Sequence, residues 1–158
     1  MAKSELSKAE LLEKAEAYCA RAEHCAAEVR RKLFQWTTET EKYDENGDFS
    51  VLADSVIAQL YAEGFLNDNR FCHAYVHDKT TYQLWGRMKI RAGLQALHLP
   101  ETEIIEALED IDEDIYTKNI VKLLVQRRND SEEKRLRFML QRGFSFEEIK
   151  KCMKILHI

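Results

Sequence analysis

Apolar side chains recur through most of this chain at intervals of three and four residues, the spacing that places them on one face of a helix. In the stretch 85–99 (WGRMKIRAGLQALHL), Ile90, Leu94 and Leu97 share one stripe. Few residues interrupt such helices, because the chain has one proline and five glycines. The pattern predicts helices at about residues 9–22, 24–36, 51–63, 67–82, 85–99, 100–109, 111–128, 130–142 and from 145 onward.

Several predicted helix ends carry a recognisable cap. Ser7 with Glu10 and Ser145 with Glu148 have the spacing of a capping box, and Asp130 with Glu133 resembles one. Residues 37–50 (TTETEKYDENGDFS) lose the helical period and include Asn46-Gly47. We therefore predict a long polar loop at 37–50.

The nine predicted helices form three triplets, whose middle helices align through Leu33, Leu94 and Met139. A three-helix unit of this size buries little core alone, so neighbouring units should stack. We expect an all-α, elongated and curved tandem array of three three-helix repeats. The expected boundaries are 1–66, which includes the loop 37–50, then 67–109 and 110–158.

The distribution of charge is more informative than the net charge of −4. Residues 101–114 contain eight acids and no base, whereas residues 85–99 contain three bases and no acid. The beginning of the chain, MAKSELSK, lacks the apolar segment of a secretory signal, and no apolar run is long enough to span a membrane. We expect a soluble, cytoplasmic protein whose four cysteines stay reduced.

Each predicted middle helix is rich in cations, which bind phosphate through charge and counterion release without reading sequence. The helix at 85–99 is the first choice for a binding site, because no acid lies near it in sequence. The alternative is ordinary solvated helix surface, paired in part with the acids at 101–114. The candidate residues for nucleic-acid or filament binding are Arg30, Arg31 and Lys32 in the first cluster, Arg87, Lys89 and Arg91 in the second, and Lys134, Arg135, Arg137 and Arg142 in the third.

Other chemistry has weaker support in the sequence. The aromatic residues between 71 and 85 could stack on bases, although their helical spacing is more typical of core packing. His73 and His77 lie four residues apart beside Cys72, but no second group of ligands accompanies them. No GxxxxGK[ST] loop or GxSxG motif is present. We expect no metal, no cofactor and no enzymatic activity.

Several segments, in order and spacing, resemble the RecX family of bacterial regulatory proteins, and the resemblance extends from about residue 9 to 156. The first repeat supplies residues 18–24 and 28–33, and the linking passage LYAEGFLNDNRF supplies 60–71. The later repeats supply WGRMKI at 85–90 and QRGFS at 141–145. Two features depart from the family pattern. Gly93 stands where a better helix former is usual and should loosen its helix, and the loop 37–50 is unusually long.

The resemblance implies a regulator that binds the RecA nucleoprotein filament and inhibits its ATPase and strand-exchange activities. It thereby implies a role in homologous recombination, DNA repair and the SOS response. The expected partners are the RecA filament and single- or double-stranded DNA, bound weakly and without sequence preference, by a monomer. Two alternatives remain open, a helical-repeat scaffold for other proteins and a sequence-independent DNA-binding protein that does not act on RecA.

Overall fold

The computed structural model of the protein describes residues 7–38 and 48–158, and all regular structure within those ranges is α-helical. The helices are α1 (Lys8–Arg21), α2 (Ala26–Thr38), α3 (Asp48–Ala62), α4 (Asp68–Thr81), α5 (Arg87–Ala96), α6 (Glu101–Glu109), α7 (Glu113–Gln126), α8 (Glu132–Gln141) and α9 (Phe146–Leu156). The expectation of an all-α chain built from helix triplets is confirmed. The exact repeat boundaries stay a prediction.

The chain divides into two compact units, Met1–Phe71 and Cys72–Ile158. In the first unit, α1, α2 and α3 pack around a core in which Leu11, Val29, Leu33 and Leu60 are fully buried. These are the apolar positions of the predicted stripes. Burial of such stripes is the main source of stability for helices this short.

The second unit contains α5 to α9 and the larger part of α4, from Cys72 onward. Ile90 and Leu94 on α5 and Ile104 on α6 are fully buried, as their periodicity predicts. A further cluster around Phe144, Met139 and Leu124 joins α7, α8 and α9. Tyr82, one of the aromatic residues whose helical spacing is typical of core packing, is instead 72% exposed and follows the end of the helix.

The observed helix ends correct three expectations. Thr37 and Thr38 belong to α2, and residues 48–50 belong to α3, so these parts of the predicted loop are helical. The rest of that loop, residues 39–47, lies outside the described residues. The cap of α8 is Ser131, whose Oγ accepts from Lys134 N at 3.2 Å, rather than Asp130.

Of the two predicted capping boxes, the one at Ser7 forms its first hydrogen bond and the one at Ser145 forms both. Ser7 Oγ accepts from Glu10 N at 3.2 Å. At α9, Ser145 Oγ accepts from Glu148 N at 3.2 Å, while the Glu148 carboxylate accepts from Ser145 N at 3.0 Å. This reciprocal capping box satisfies two backbone donors and fixes the direction in which α9 begins.

Candidate nucleic-acid or filament interface

The cations of α5 are paired within the molecule, contrary to the expectation of an unneutralised helix. The Arg87 guanidinium forms an ion pair with Glu113 and lies 3.4 Å from the Glu148 carboxylate. Arg91 forms an ion pair with Glu101. These acids come from α7, α9 and the start of α6, so folding supplies the neutralisation that the local sequence lacks.

Arg87 is further immobilised by Tyr116. Its guanidinium carbon lies 4.0 Å from the centre of the Tyr116 ring, and its backbone N–H donates to Tyr116 Oη at 3.0 Å. The side chain of Arg87 is only 27% exposed. Arg87 therefore acts first as a link between α5, α7 and α9, and little of its charge remains for a partner.

Lys89 has a different environment, because it contacts an aromatic ring instead of an acid. Its Nζ lies 4.3 Å from the centre of the Trp85 ring, and Lys79 Nζ lies 4.4 Å from the same centre. Trp85 N donates to the Lys79 carbonyl at 2.9 Å, which closes the turn between α4 and α5. Two ammonium groups and a half-buried indole thus share one surface, the type of surface on which single strands stack.

Sequence analysis did not select Lys79. The contact crosses the turn between two helices, so helical periodicity does not reveal it. The presence of Trp85 six residues after Lys79 was the available signal, and Trp85 itself was considered only as a base-stacking or core residue.

The first basic cluster divides into paired and unpaired side chains. Arg30 forms an ion pair with Asp54 on α3. Lys32 Nζ lies 5.6 Å from the centre of the Tyr18 ring. Arg31 is exposed and has no acidic partner among the described residues. Lys32 and Arg31 therefore keep their positive charge available.

In the third cluster, Arg135 is the clearest correction. It is 7% exposed, and its Nη1 donates to the carbonyl oxygens of Arg128, at 3.1 Å, and of Asp130. These carbonyls follow the end of α7, where backbone acceptors lack intrahelical partners. Arg135 therefore fastens the α7–α8 turn and does not present its charge to an external partner.

The remaining members of that cluster differ from one another. Arg137 forms an i,i+4 ion pair with Glu133 at 3.0 Å, whereas Lys134 is exposed without an acidic partner in the described part of the chain. Arg142 donates from Nε to the Leu84 carbonyl at 3.2 Å and from Nη2 to the Gln83 carbonyl. Burial, with the nearby charge of Arg127, lowers the pKa of the Arg142 guanidinium.

After these corrections, four of the ten predicted residues are bound neither by a described carboxylate nor by backbone carbonyls. They are Arg31, Lys32, Lys89 and Lys134. Cations of this kind can bind phosphate or an acidic protein surface with a strong dependence on salt and no sequence selectivity.

Metal binding has no geometric support in the part of the chain that the structure describes, since no group of three or more His, Cys, Asp or Glu side chains could hold an ion there. His73 Nε2 lies 3.8 Å from Asp110, and the four cysteines are free thiols. Burial raises the pKa of the Cys19 and Cys25 thiols to about 11, which disfavours the nucleophilic thiolate. Across 7–38 and 48–158, no helix has both the length and the hydropathy to cross a bilayer.

Comparison with known proteins gives a consistent result. The sequence profile described as "RecX, second three-helix domain" matches residues 67–108, which contain nearly all of α4 to α6. The Regulatory protein RecX of Pelodictyon phaeoclathratiforme (strain DSM 5477 / BU-1) is 29% identical over 138 residues, covering 84% of this chain and 80% of that protein.

Two crystal structures have a similar fold. RecX from Lactobacillus salivarius superposes with a TM-score of 0.70 at 19% identity, covering 95% of this chain and 96% of the other. A second regulatory protein RecX gives a TM-score of 0.67 at 21% identity, covering 96% of this chain and 81% of the other. The fold and the matched segment define an all-α protein assembled from three-helix modules. The chain is thus similar to RecX proteins in one matched domain, in sequence over most of its length, and in fold.

Proposed function

We propose that this protein binds the RecA nucleoprotein filament and inhibits its ATPase and strand-exchange activities, acting as a monomer in the cytoplasm. Similarity to proteins named Regulatory protein RecX supports the general role. In this proposal, the protein modulates homologous recombination, DNA repair and the SOS response by limiting the activity of assembled filaments.

The observation that carries the proposal is the position of Lys89 in the segment that matches the RecX domain. Lys89 and Lys79 both contact the Trp85 ring, and neither has an acidic partner among the described residues. Holding a lysine against an aromatic ring limits its conformational freedom while leaving its charge in place. Such a group can contact DNA phosphate or an acidic surface with a small entropic cost.

Arg31, Lys32 and Lys134 are the further contact residues that we propose. The other predicted cations are assigned supporting roles, because each is held by a carboxylate or by backbone carbonyls: Arg30, Arg87, Arg91, Arg135, Arg137 and Arg142. Several modest contacts on one molecule can sum to a useful affinity through their effective concentration.

The test is a titration of the protein into an ATPase assay of RecA assembled on single-stranded DNA. The wild-type protein is expected to slow ATP hydrolysis at substoichiometric amounts. Lys89→Glu is expected to raise the concentration needed for half-maximal inhibition several-fold. Lys118→Glu is the matched control, since Lys118 is an exposed residue of α7 outside the proposed contacts. Absence of inhibition by the wild-type protein at any concentration would refute the proposed function.

The contact of two lysines with the Trp85 ring also supports a second candidate, a sequence-independent DNA-binding protein that does not act on RecA. Binding to labelled single-stranded DNA without RecA distinguishes the two. Salt-sensitive DNA binding together with an unchanged RecA ATPase would favour the second candidate.

A further inference from the structure

Helices α1 and α2 line an open cavity of about 330 Å³ in the first unit. Three cationic side chains line it, Lys14 and Arg21 from α1 and Lys32 from α2, together with the rings of Tyr18 and Trp36. No acidic residue is among the lining residues. A cavity with this lining presents positive charge and flat apolar surface to the same ligand.

The lysines of this cavity are held by aromatic rings. Lys14 Nζ lies 5.0 Å from the centre of the Trp36 ring, and Lys32 Nζ lies 5.6 Å from the centre of the Tyr18 ring. Within the described ranges, neither lysine forms an ion pair, in contrast to Arg30 on the same helix as Lys32, which is paired with Asp54. Their charge is therefore positioned but not neutralised.

The aromatic walls are themselves fixed. The Tyr18 ring stacks on His24 with centroids 3.8 Å apart and an interplanar angle of 14°. Trp36 meets Tyr18 edge-on, at 6.3 Å and 88°. Both rings remain half-buried rather than enclosed in the core. The nearby Glu28 carboxylate accepts from Cys25 N at 3.2 Å and lies 3.4 Å from His24 Nδ1.

We propose that this cavity binds one nucleotide, with the phosphate on the Lys14, Arg21 and Lys32 cations and the base against Trp36. A flat base stacks on an aromatic ring whatever its sequence, and a phosphate satisfies cations that have no carboxylate. The cavity volume lies at the lower end of ligand sites, which suits a single nucleotide. The nucleotide could be a free molecule or one unit of a single strand.

This inference adds a nucleotide-binding subsite to the proposed function. It rests on the proposed function only because the DNA of the RecA filament is the expected source of the nucleotide. An acidic peptide would also satisfy the three cations. It would leave the aromatic walls without a flat partner, so the observed combination favours a nucleotide.

Trp36 provides a direct probe, because Trp36 and Trp85 are the two tryptophans of the chain. In the Trp85→Phe protein, emission reports on Trp36 alone. Oligo(dT) is expected to quench this emission, with an affinity that falls as salt rises. Removing both lysines in Lys14→Gln/Lys32→Gln is expected to reduce the slope of log K against log salt by about 0.7 per lysine.

The matched control is Lys8→Gln, an exposed lysine of α1 that does not line the cavity, which should leave the quenching unchanged. Lys14→Arg/Lys32→Arg keeps the charges and should retain binding, which separates a lost contact from a lost fold. Far-UV circular dichroism of every variant checks that the helices persist.

Titrations with dTMP, inorganic phosphate and oligoglutamate complete the test. Quenching by dTMP as well as by oligo(dT) would identify a free nucleotide as a source, and quenching by oligo(dT) alone would identify a strand. The proposal is overturned if neither quenches, if inorganic phosphate binds as tightly as dTMP, or if oligoglutamate competes as well as oligo(dT). RecA is absent from this assay, so its outcome is independent of the ATPase titration.

Discussion

The backbone of Gly86 lies directly against the backbone of Gly143, so that a Cβ atom on Gly86 would overlap the carbonyl carbon of Gly143. Gly86 N donates to the Arg142 carbonyl at 2.7 Å, and Met88 N donates to the Gly143 carbonyl at 3.1 Å. The α4–α5 turn and the α8–α9 turn thus cross without any side chain between them. Glycine is required at this crossing because any other residue would separate the two turns.

We predict that Gly143→Ala destabilises the protein more than Gly64→Ala. Both glycines have positive φ, +95° and +80°, so both substitutions introduce backbone strain. Only at Gly143 would the new Cβ also meet a neighbour, the side chain and backbone nitrogen of Lys89, whereas no atom lies within 4 Å of a Cβ at Gly64. The free energy of unfolding in urea should fall by about 1–3 kcal/mol more for Gly143→Ala. Equal losses would contradict the close crossing.

Substitution of two adjacent cations of α8 should change the free energy of unfolding by very different amounts. Arg135→Ala removes donors from two carbonyls of the α7–α8 turn and should lower the free energy of unfolding by about 1.5–3 kcal/mol. Lys134→Ala, at an exposed position, should change it by less than about 0.5 kcal/mol. Urea unfolding followed by circular dichroism compares the two, and similar values would refute the structural role of Arg135.

The helices could be predicted from sequence because each buries one stripe of apolar residues, and a stripe is a local property. Leu33, Leu94 and Met139 were all identified in this way and are fully buried. The capping box of Ser145 and Glu148 was also predictable, since its two residues lie three positions apart. The Asp130 cap was wrong because Ser131, one position later, occupies the cap itself.

The electrostatic environment of the candidate site could not be predicted in the same way. Arg87 and its partner Glu148 are separated by 61 positions, so the charge of α5 looked unopposed until the chain was folded. The role of Arg135 could not be predicted either, because no local sequence pattern distinguishes a buried arginine that binds carbonyls from an exposed one. The charge pattern located the basic helices correctly but did not show which of their cations are free.

Gly93 was expected to loosen α5, and the structure gives it a packing role instead. A Cβ on Gly93 would overlap the hydroxyl oxygen of Tyr75 and lie 3.1 Å from its Cζ. We predict that Gly93→Ala destabilises the wild-type protein, although alanine is intrinsically favoured over glycine in a helix by about 1 kcal/mol.

The Tyr75→Phe background tests the cause. Without the hydroxyl, the cost of Gly93→Ala should decrease, because the new methyl group then has more space. A double-mutant cycle of urea unfolding measures the difference. If Gly93→Ala has the same effect with and without the hydroxyl, Tyr75 is not the obstacle.

The Arg87–Glu148 pair should contribute more to stability than an exposed pair. Glu148→Gln is a suitable change, because glutamine can keep the capping box with Ser145 while losing its charge. A cycle of Arg87→Gln and Glu148→Gln should give a coupling free energy above about 0.5 kcal/mol. The matched cycle uses Arg137 and Glu133, which are 64% and 82% exposed, and should give about 0.3–0.5 kcal/mol or less. A smaller coupling for Arg87 and Glu148 would remove their assigned role in joining α5 to α9.

Alkaline pH should destabilise the protein in a way that depends on Tyr116. Burial raises the pKa of Tyr116 to about 12, and the nearby Glu148 carboxylate adds to the effect while Arg87 opposes it. In the unfolded chain the phenol ionises near pH 10. Between about pH 10 and 12 the unfolded state therefore binds fewer protons than the folded state, and the free energy of unfolding must decrease as pH rises.

We expect Tyr116 to account for a loss of roughly 1–2 kcal/mol across that interval. Tyr116→Phe should have a flatter pH profile from 10 to 12, because phenylalanine has no proton to release, while being less stable at neutral pH through loss of its hydrogen bonds to Arg87 N and Glu148. Tyr82→Phe is the matched substitution, since that side chain is 72% exposed. Urea unfolding at each pH, with absorbance at 295 nm to follow phenol ionisation, provides the measurement. If the free energy of unfolding of the wild-type protein depended on pH as weakly as that of Tyr116→Phe, ionisation of the Tyr116 hydroxyl would not be the cause of the alkaline destabilisation.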